Sequence, residues 1–145
     1  MAPRPGLVGI LLLTGCAGAG ASRPAPVLTS VQAEDPITEV LTAAFAADCQ
    51  LLPADSLWDP DAIVVADGEL REGPPRFAGV GPGGQVAITN SRLELRQGLA
   101  WVYLEFRWSL LKEGLAREGR ATVLLVPGES RPGWKIVHAH SSTVR

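Results

Sequence analysis

The chain has 145 residues, with 13 Lys plus Arg against 15 Asp plus Glu and 46% hydrophobic residues, which is one domain's worth of sequence with a slightly acidic balance. That balance, without a basic cluster, excludes an electrostatic footprint for nucleic acid or for an anionic bilayer surface, so no nucleic-acid partner is expected. Thiol and imidazole chemistry is confined to Cys16, Cys49, His138 and His140.

At the N-terminus, Arg4 supplies a short positive region and Leu7 to Leu13 an apolar run too short to span a bilayer. Leu13-Thr14-Gly15-Cys16 follows directly and resembles a bacterial lipobox. The resemblance implies that residues 1–15 are a lipoprotein signal peptide and that Cys16 becomes the acylated N-terminus. An ordinary secretory signal with Cys16 incidental is the alternative reading. Several acyl chains, at about 0.8 kcal/mol per buried methylene, would anchor the protein to a membrane. Ala17, and no Asp, follows Cys16. By resemblance to Gram-negative lipoproteins this implies the bacterial cell envelope, on the periplasmic side of the outer membrane. Residues 16–34 are rich in Ala, Gly, Ser and Pro and read as the lipidated Cys plus a flexible tether. With Cys16 lipidated, Cys49 has no partner for a disulfide.

The globular domain spans 35–145. Asp35-Pro36 fits a helix start, with Asp35 as cap and Pro36 in the first turn. Ile37, Val40, Leu41, Ala44, Phe45, Cys49 and Leu52 recur at three and four, predicting an amphipathic helix to about Gln50 with Cys49 on its buried side. Cys49 lacks electropositive neighbours and reads as a structural thiol. Pro53 ends or kinks the helix, Asp59-Pro60-Asp61 reads as a turn and Ala62 to Ala66 as a strand. Asp67-Gly68 closes a tight hairpin onto Glu69-Leu70-Arg71. Gly73 to Gly84 holds five glycines and three prolines in twelve residues and reads as a long loop, of a kind that is often a lid or rim of a site and in many proteins merely mobile. In Val86 to Gln97 the apolar residues change phase, predicting a β-bulge near Asn90 to Arg92. In Ala100 to Lys112, Val102, Leu104, Phe106, Trp108 and Leu110 share one face and Trp101, Tyr103, Glu105, Arg107 and Ser109 the other, predicting a central strand covered on both sides. Arg120 to Val126 returns, and the final strand begins at Trp134. Strict alternation along it puts Trp134, Ile136, His138, His140 and Ser142 on one side. A helix followed by antiparallel strands is an α+β pattern.

With that order, the ending Trp134-Lys-Ile-Val-His138-Ala-His140-Ser-Ser142 and Gly119-Arg120-Ala121-Thr122 leading into Val123 to Val126, residues 35–145 resemble the SnoaL-like branch of the nuclear transport factor 2-like superfamily. The resemblance implies a cone-shaped fold, an N-terminal helix packed on a strongly curved antiparallel sheet, a pocket at the wide end and a homodimer formed through the outer sheet face. The Gly73 to Gly84 loop stands where many relatives place another helix over the pocket, which implies a more open mouth.

Two placements of the polar residues stay open. If His138, His140, Tyr103 and Glu105 point into the cone, Glu105 could orient an imidazole acting as general base, with Tyr103 as oxyanion donor, for isomerase, dehydratase or cyclase chemistry. If they lie outside, Glu105 and Arg107 pair across strands and the histidines pack in a dimer interface. The family's kinase association domains favour the second, because their pocket positions match Phe106, Val123 and Ser141 here. The pocket would then be apolar, lined by Leu104, Phe106, Trp108, Val123 and Ser141, and would suit an apolar small molecule. His138, His140 and Glu105 are a thin ligand set, so no metal and no cofactor is expected. A ligand-binding or protein-interaction module, a small enzyme and a structural dimer subunit remain the three classes of function.

Overall fold

The computed structural model describes residues 30–129 and 133–145, with side chains from residue 35. The expected signal peptide, Cys16 and most of the expected tether lie outside the described residues. One helix, α1 (Ser30–Gln50), precedes six strands: β1 (Trp58–Ala66), β2 (Glu69–Leu70), β3 (Gln85–Arg96), β4 (Leu99–Leu110), β5 (Leu115–Pro127) and β6 (Trp134–Val144). A 3-10 turn, Leu111–Glu113, joins β4 to β5. The strands form one sheet in the order β2-β1-β6-β5-β4-β3. Every pairing is antiparallel except β1 with β6, which is parallel, so the sheet is mixed where a wholly antiparallel one was expected. Strand β6 returns to the middle of the sheet, and the direction it takes beside β5 makes it run with β1.

The helix begins at Ser30, five residues before the expected cap, and Pro36 stands inside it. As the seventh helical residue, Pro36 forgoes one i→i−4 bond and crowds the carbonyl four residues back, and the buried apolar stripe that follows it supplies the stability that propensity lacks. Ile37, Val40, Leu41, Ala44, Phe45 and Cys49 are all buried on the sheet. Leu52 is 52% exposed, because Leu51 adopts a left-handed conformation and takes the chain off the helical path. Asp59-Pro60-Asp61 lies within β1 as a wide bulge, since Trp58 pairs with Ile136 and Ile63 already with His138. Asp59 Oδ1 accepts the Asp61 N–H at 2.9 Å there. Asp67 and Gly68, both at positive φ, close the β1–β2 hairpin, and Gln97 and Gly98 close β3–β4 in the same way.

Two bulges decide which side chains reach the interior. In β3 the register slips between Ile88 and Asn90, at Thr89, one residue before the expected window. In β6 it slips between Ile136 and His138, where Val137 is the extra residue. Strict alternation along β6 therefore fails. Trp134 and Ile136 face in, then Ala139 and Ser141 face in, while His138 and His140 turn outward.

The inner face packs Val102, Leu104, Phe106, Val123, Leu125, Ile136 and Ala139 against α1. Strand β4 lies one place from the sheet edge. Its second face, with Trp101 at 37% exposure, is uncovered in the single chain rather than buried on both sides.

Candidate functional site

The loop between β2 and β3 turns into the body of the protein instead of rimming an open mouth. Phe77 is 2% exposed, its ring centroid 4.4 Å from Phe45 and 5.6 Å from Trp58, while Phe45 in turn lies 4.8 Å from Phe106. Four backbone groups of the loop are fastened to the rest of the fold or to its side chains. The Phe77 N–H donates to Asp48 Oδ2 at 2.7 Å, and the Ala78 N–H donates to Ser141 Oγ at 2.8 Å. The Gly83 N–H donates to the Cys49 carbonyl at 2.7 Å, and the Gly83 carbonyl accepts Trp108 Nε1 at 3.0 Å. The glycines permit this descent, since at Gly84 a Cβ would meet the Ser109 carbonyl. Leu104, Phe106, Trp108, Val123 and Ser141 are consequently parts of a packed interior, each 2% exposed or less, and not walls of an open cavity. Phe77 belongs to the same packed interior.

An open cleft of ≈ 410 Å³ lies instead between α1 and β3. Phe45, Ala46, Val86 and Ile88 give it an apolar lining, and Thr38, Thr42, Gln50 and Gln85 supply the polar groups. Cys49 borders it. Burial, then the neighbouring Asp48, pushes that thiol's pKa up, which keeps it protonated and unreactive. Asp48 sits one residue away and is 5% exposed. Its pKa is raised from 3.8 to about 6, first by burial, while the Phe77 N–H and the Arg76 and Arg71 guanidiniums pull it down. Arg76 also donates to the Asp48 backbone carbonyl at 3.2 Å.

On the outer face, Tyr103 donates to Glu105 Oε1 at 2.9 Å and Arg120 Nε reaches the same oxygen at 3.3 Å. Donation to the carboxylate raises the tyrosine's pKa. His140 pairs with Thr122, which pairs with Tyr103, so the two rings stand two strands apart, roughly 10 Å at the usual strand spacing. His138 lies in the row of Leu124 and Trp101, and Glu105 in the row of Arg120 and Ser142. Glu105 therefore orients neither imidazole, and the proton-transfer set drawn from the sequence is not brought together. Among the described residues no three His, Cys, Asp or Glu side chains gather as a metal site would need.

Two residues that matter here were passed over in the sequence. Asp48 carried a signal, since a position three after Phe45 and four after Ala44 is on the apolar stripe, where a charge is out of place. Phe77 carried a fainter one, as the sole aromatic in a Gly- and Pro-rich loop.

No family model matches the chain, and no curated protein matches it in sequence. Solved structures do match. A nuclear transport factor 2-like superfamily protein from Salmonella enterica superposes with a TM-score of 0.64 at 13% identity, over 81% of this chain and 94% of that one. An NTF2-like protein of unknown function from Shewanella oneidensis gives 0.55 at 20% identity, over 76% and 98%. The association domain of the C. elegans kinase CaMKII gives 0.57 at 18% identity, over 77% and 95%. At these identities the likeness is one of fold, and the fold is nuclear transport factor 2-like: one helix laid on a six-stranded mixed sheet.

Proposed function

We propose that the protein is a lipid-anchored module of the bacterial cell envelope that binds an apolar small molecule between α1 and β3 and works as a homodimer. The observation that carries the binding reading is the ≈ 410 Å³ cleft, lined by Phe45, Val86 and Ile88 with Thr and Gln side chains beside them that could orient a ligand. The lipobox-like Leu13 to Cys16 supports the anchor, and the outer position of His138 and His140 leaves the proton-transfer alternative without an assembled site. An apolar ligand partitioning from a membrane would meet a protein tethered to the same surface, which gives the anchor a purpose.

Titration of the full chain with the neutral fluorophore N-phenyl-1-naphthylamine tests the binding reading. Ala46→Trp, which fills the cleft, is expected to weaken binding about tenfold or more, whereas Trp101→Lys on the outer face should leave it unchanged. Equal affinities in wild type and Ala46→Trp would remove the cleft from consideration. Fractionation of cells expressing Cys16→Ser tests the anchor. The variant should leave the membrane fraction and lose labelling by radioactive palmitate, and continued labelling would rule out acylation at this residue.

A further inference from the structure

The cleft leaves two features of the interior without a role. The Phe77 ring is buried against Phe45 and Trp58, yet it belongs to a twelve-residue loop with little internal structure. Beside it, the Trp58 indole N–H is buried with no hydrogen-bond partner among the described residues, in a side chain 3% exposed. A buried donor left unpaired carries its full dehydration cost, and such groups are few in folded proteins. An indole N–H can only donate, so only an acceptor satisfies it. The Phe77 ring, tilted against the indole with centroids 5.6 Å apart, offers apolar contact and no conventional acceptor.

We propose that the Phe77 ring occupies a ligand position, and that a flat apolar molecule carrying one hydrogen-bond acceptor, such as an aryl ketone, displaces it and accepts from Trp58 Nε1 as the 73–84 loop lifts away. This rests on the ligand-binding reading and adds to it the ligand's chemistry and a plug that regulates entry. Phe45 links the two places, since it lines the α1–β3 cleft and also packs against Phe77. A ligand in the cleft is thus one aromatic ring away from the plug.

Asp48 sets how firmly the plug closes. The groups that bear on its carboxylate are the Phe77 N–H, Arg76 and Arg71, with the Cys49 thiol adjacent. The closed loop withholds water from the carboxylate, and this burial outweighs the favourable partners, placing its pKa near 6. Lifting the loop rehydrates it. The ionised form therefore favours the open loop, and exchange of Phe77 for ligand is easier above pH 6 than below it.

Hydrogen–deuterium exchange and equilibrium binding on the full chain at pH 7.5 test the proposal, with acetophenone as probe and ethylbenzene as its counterpart lacking the acceptor. Saturating acetophenone is expected to speed exchange at the Phe77 and Ala78 amides about tenfold or more. Phe77→Ala should bind acetophenone at least about tenfold more tightly than wild type. Phe77→Leu, which keeps part of the core filled, serves the same comparison if the alanine variant does not fold. Trp58→Phe should abolish the preference for acetophenone over ethylbenzene. Acetophenone binding that leaves the Phe77 and Ala78 amides as protected as before overturns the displacement. So does N-phenyl-1-naphthylamine binding in the cleft while folded Phe77→Leu binds no acetophenone; both of these outcomes spare the cleft. If neither probe binds wild type or Phe77→Leu, the cleft and the plug fall together.

Discussion

Gly119 shows how one missing side chain shapes the interior. It stands opposite Phe106 in the β4–β5 pairing, and a Cβ there would meet the Phe106 ring. The ring can lie across the sheet toward Phe45 only because that position is empty. Gly119→Ala would push Phe106 into a packed core, and the expected cost is about 1–3 kcal/mol from overpacking. Urea denaturation should show the midpoint falling at an unchanged slope. A variant as stable as wild type would mean that Phe106 has room to move, and the interior would be looser than the stacked rings indicate. Ser141 illustrates the complementary case of a polar side chain kept at 1% exposure because it has a partner, the Ala78 N–H of the plug loop.

At the scale of elements, the loop and α1 are held together by a group that works against the closed state at neutral pH. The pKa of Asp48 is raised from 3.8 to about 6 in the fold. Stability contributed by such a group is fully present below 3.8 and is lost as pH rises through about 6. The difference corresponds to on the order of 3 kcal/mol at pH 8. Asn at this position can still accept the Phe77 N–H without a charge to bury. Asp48→Asn should therefore melt several degrees above wild type at pH 8 and close to it at pH 4, as followed by circular dichroism. A variant less stable than wild type at pH 8 would show that the Arg76 and Arg71 attractions outweigh burial. Helix α1 and the main strand pattern were legible in the sequence because each has a hydrophobic period that burial enforces: Ile37 to Cys49 at three and four, Val102 to Trp108 at two. The bulge at Thr89 was legible within a residue, since the apolar phase changes on either side of it. The slip at Val137 was not, because β6 offers apolar or small residues in both phases there, and that one residue decides whether His138 and His140 face in or out. The parallel pairing of β1 with β6 and the descent of Phe77 depend on contacts far apart in the chain, which a local pattern does not encode. The cleft lay between two elements, Thr38 and Thr42 on one and Val86 and Ile88 on the other, whose juxtaposition only the fold supplies.

The whole molecule presents a sheet face that the single chain leaves uncovered. Across four strands, Ile63, His138, Leu124 and Trp101 form one row and Val65, His140, Thr122 and Tyr103 the next. Ile63 is 55% exposed and Trp101 37%. The ionic groups Glu105, Arg120, Arg92 and Glu94 border these rows, as a polar rim borders an apolar interface core. The proposed homodimer would seat a second copy here, because a two-fold axis through the rows would set each row against its own equivalent. A stable pairing needs about 800 Å² from each partner, more than these two rows and their ionic border present alone, so it would have to extend over the rest of the outer face. Replacing Ile63 and Trp101 together by Lys would bring like charges face to face across such an axis. Since both side chains are partly solvated in the single chain, the fold itself should lose little. Sedimentation equilibrium should then give a dimer for wild type and a monomer for Ile63→Lys/Trp101→Lys, with the far-ultraviolet circular dichroism of the two alike. If the double variant sediments as wild type does, the association runs through another surface, and the outer sheet face must be explained by a different partner. The α1–β3 cleft lies on the side of the sheet that α1 covers, opposite the outer face. Dimerisation through the outer face would therefore leave both clefts open, and the monomeric variant should bind N-phenyl-1-naphthylamine as tightly as the dimer.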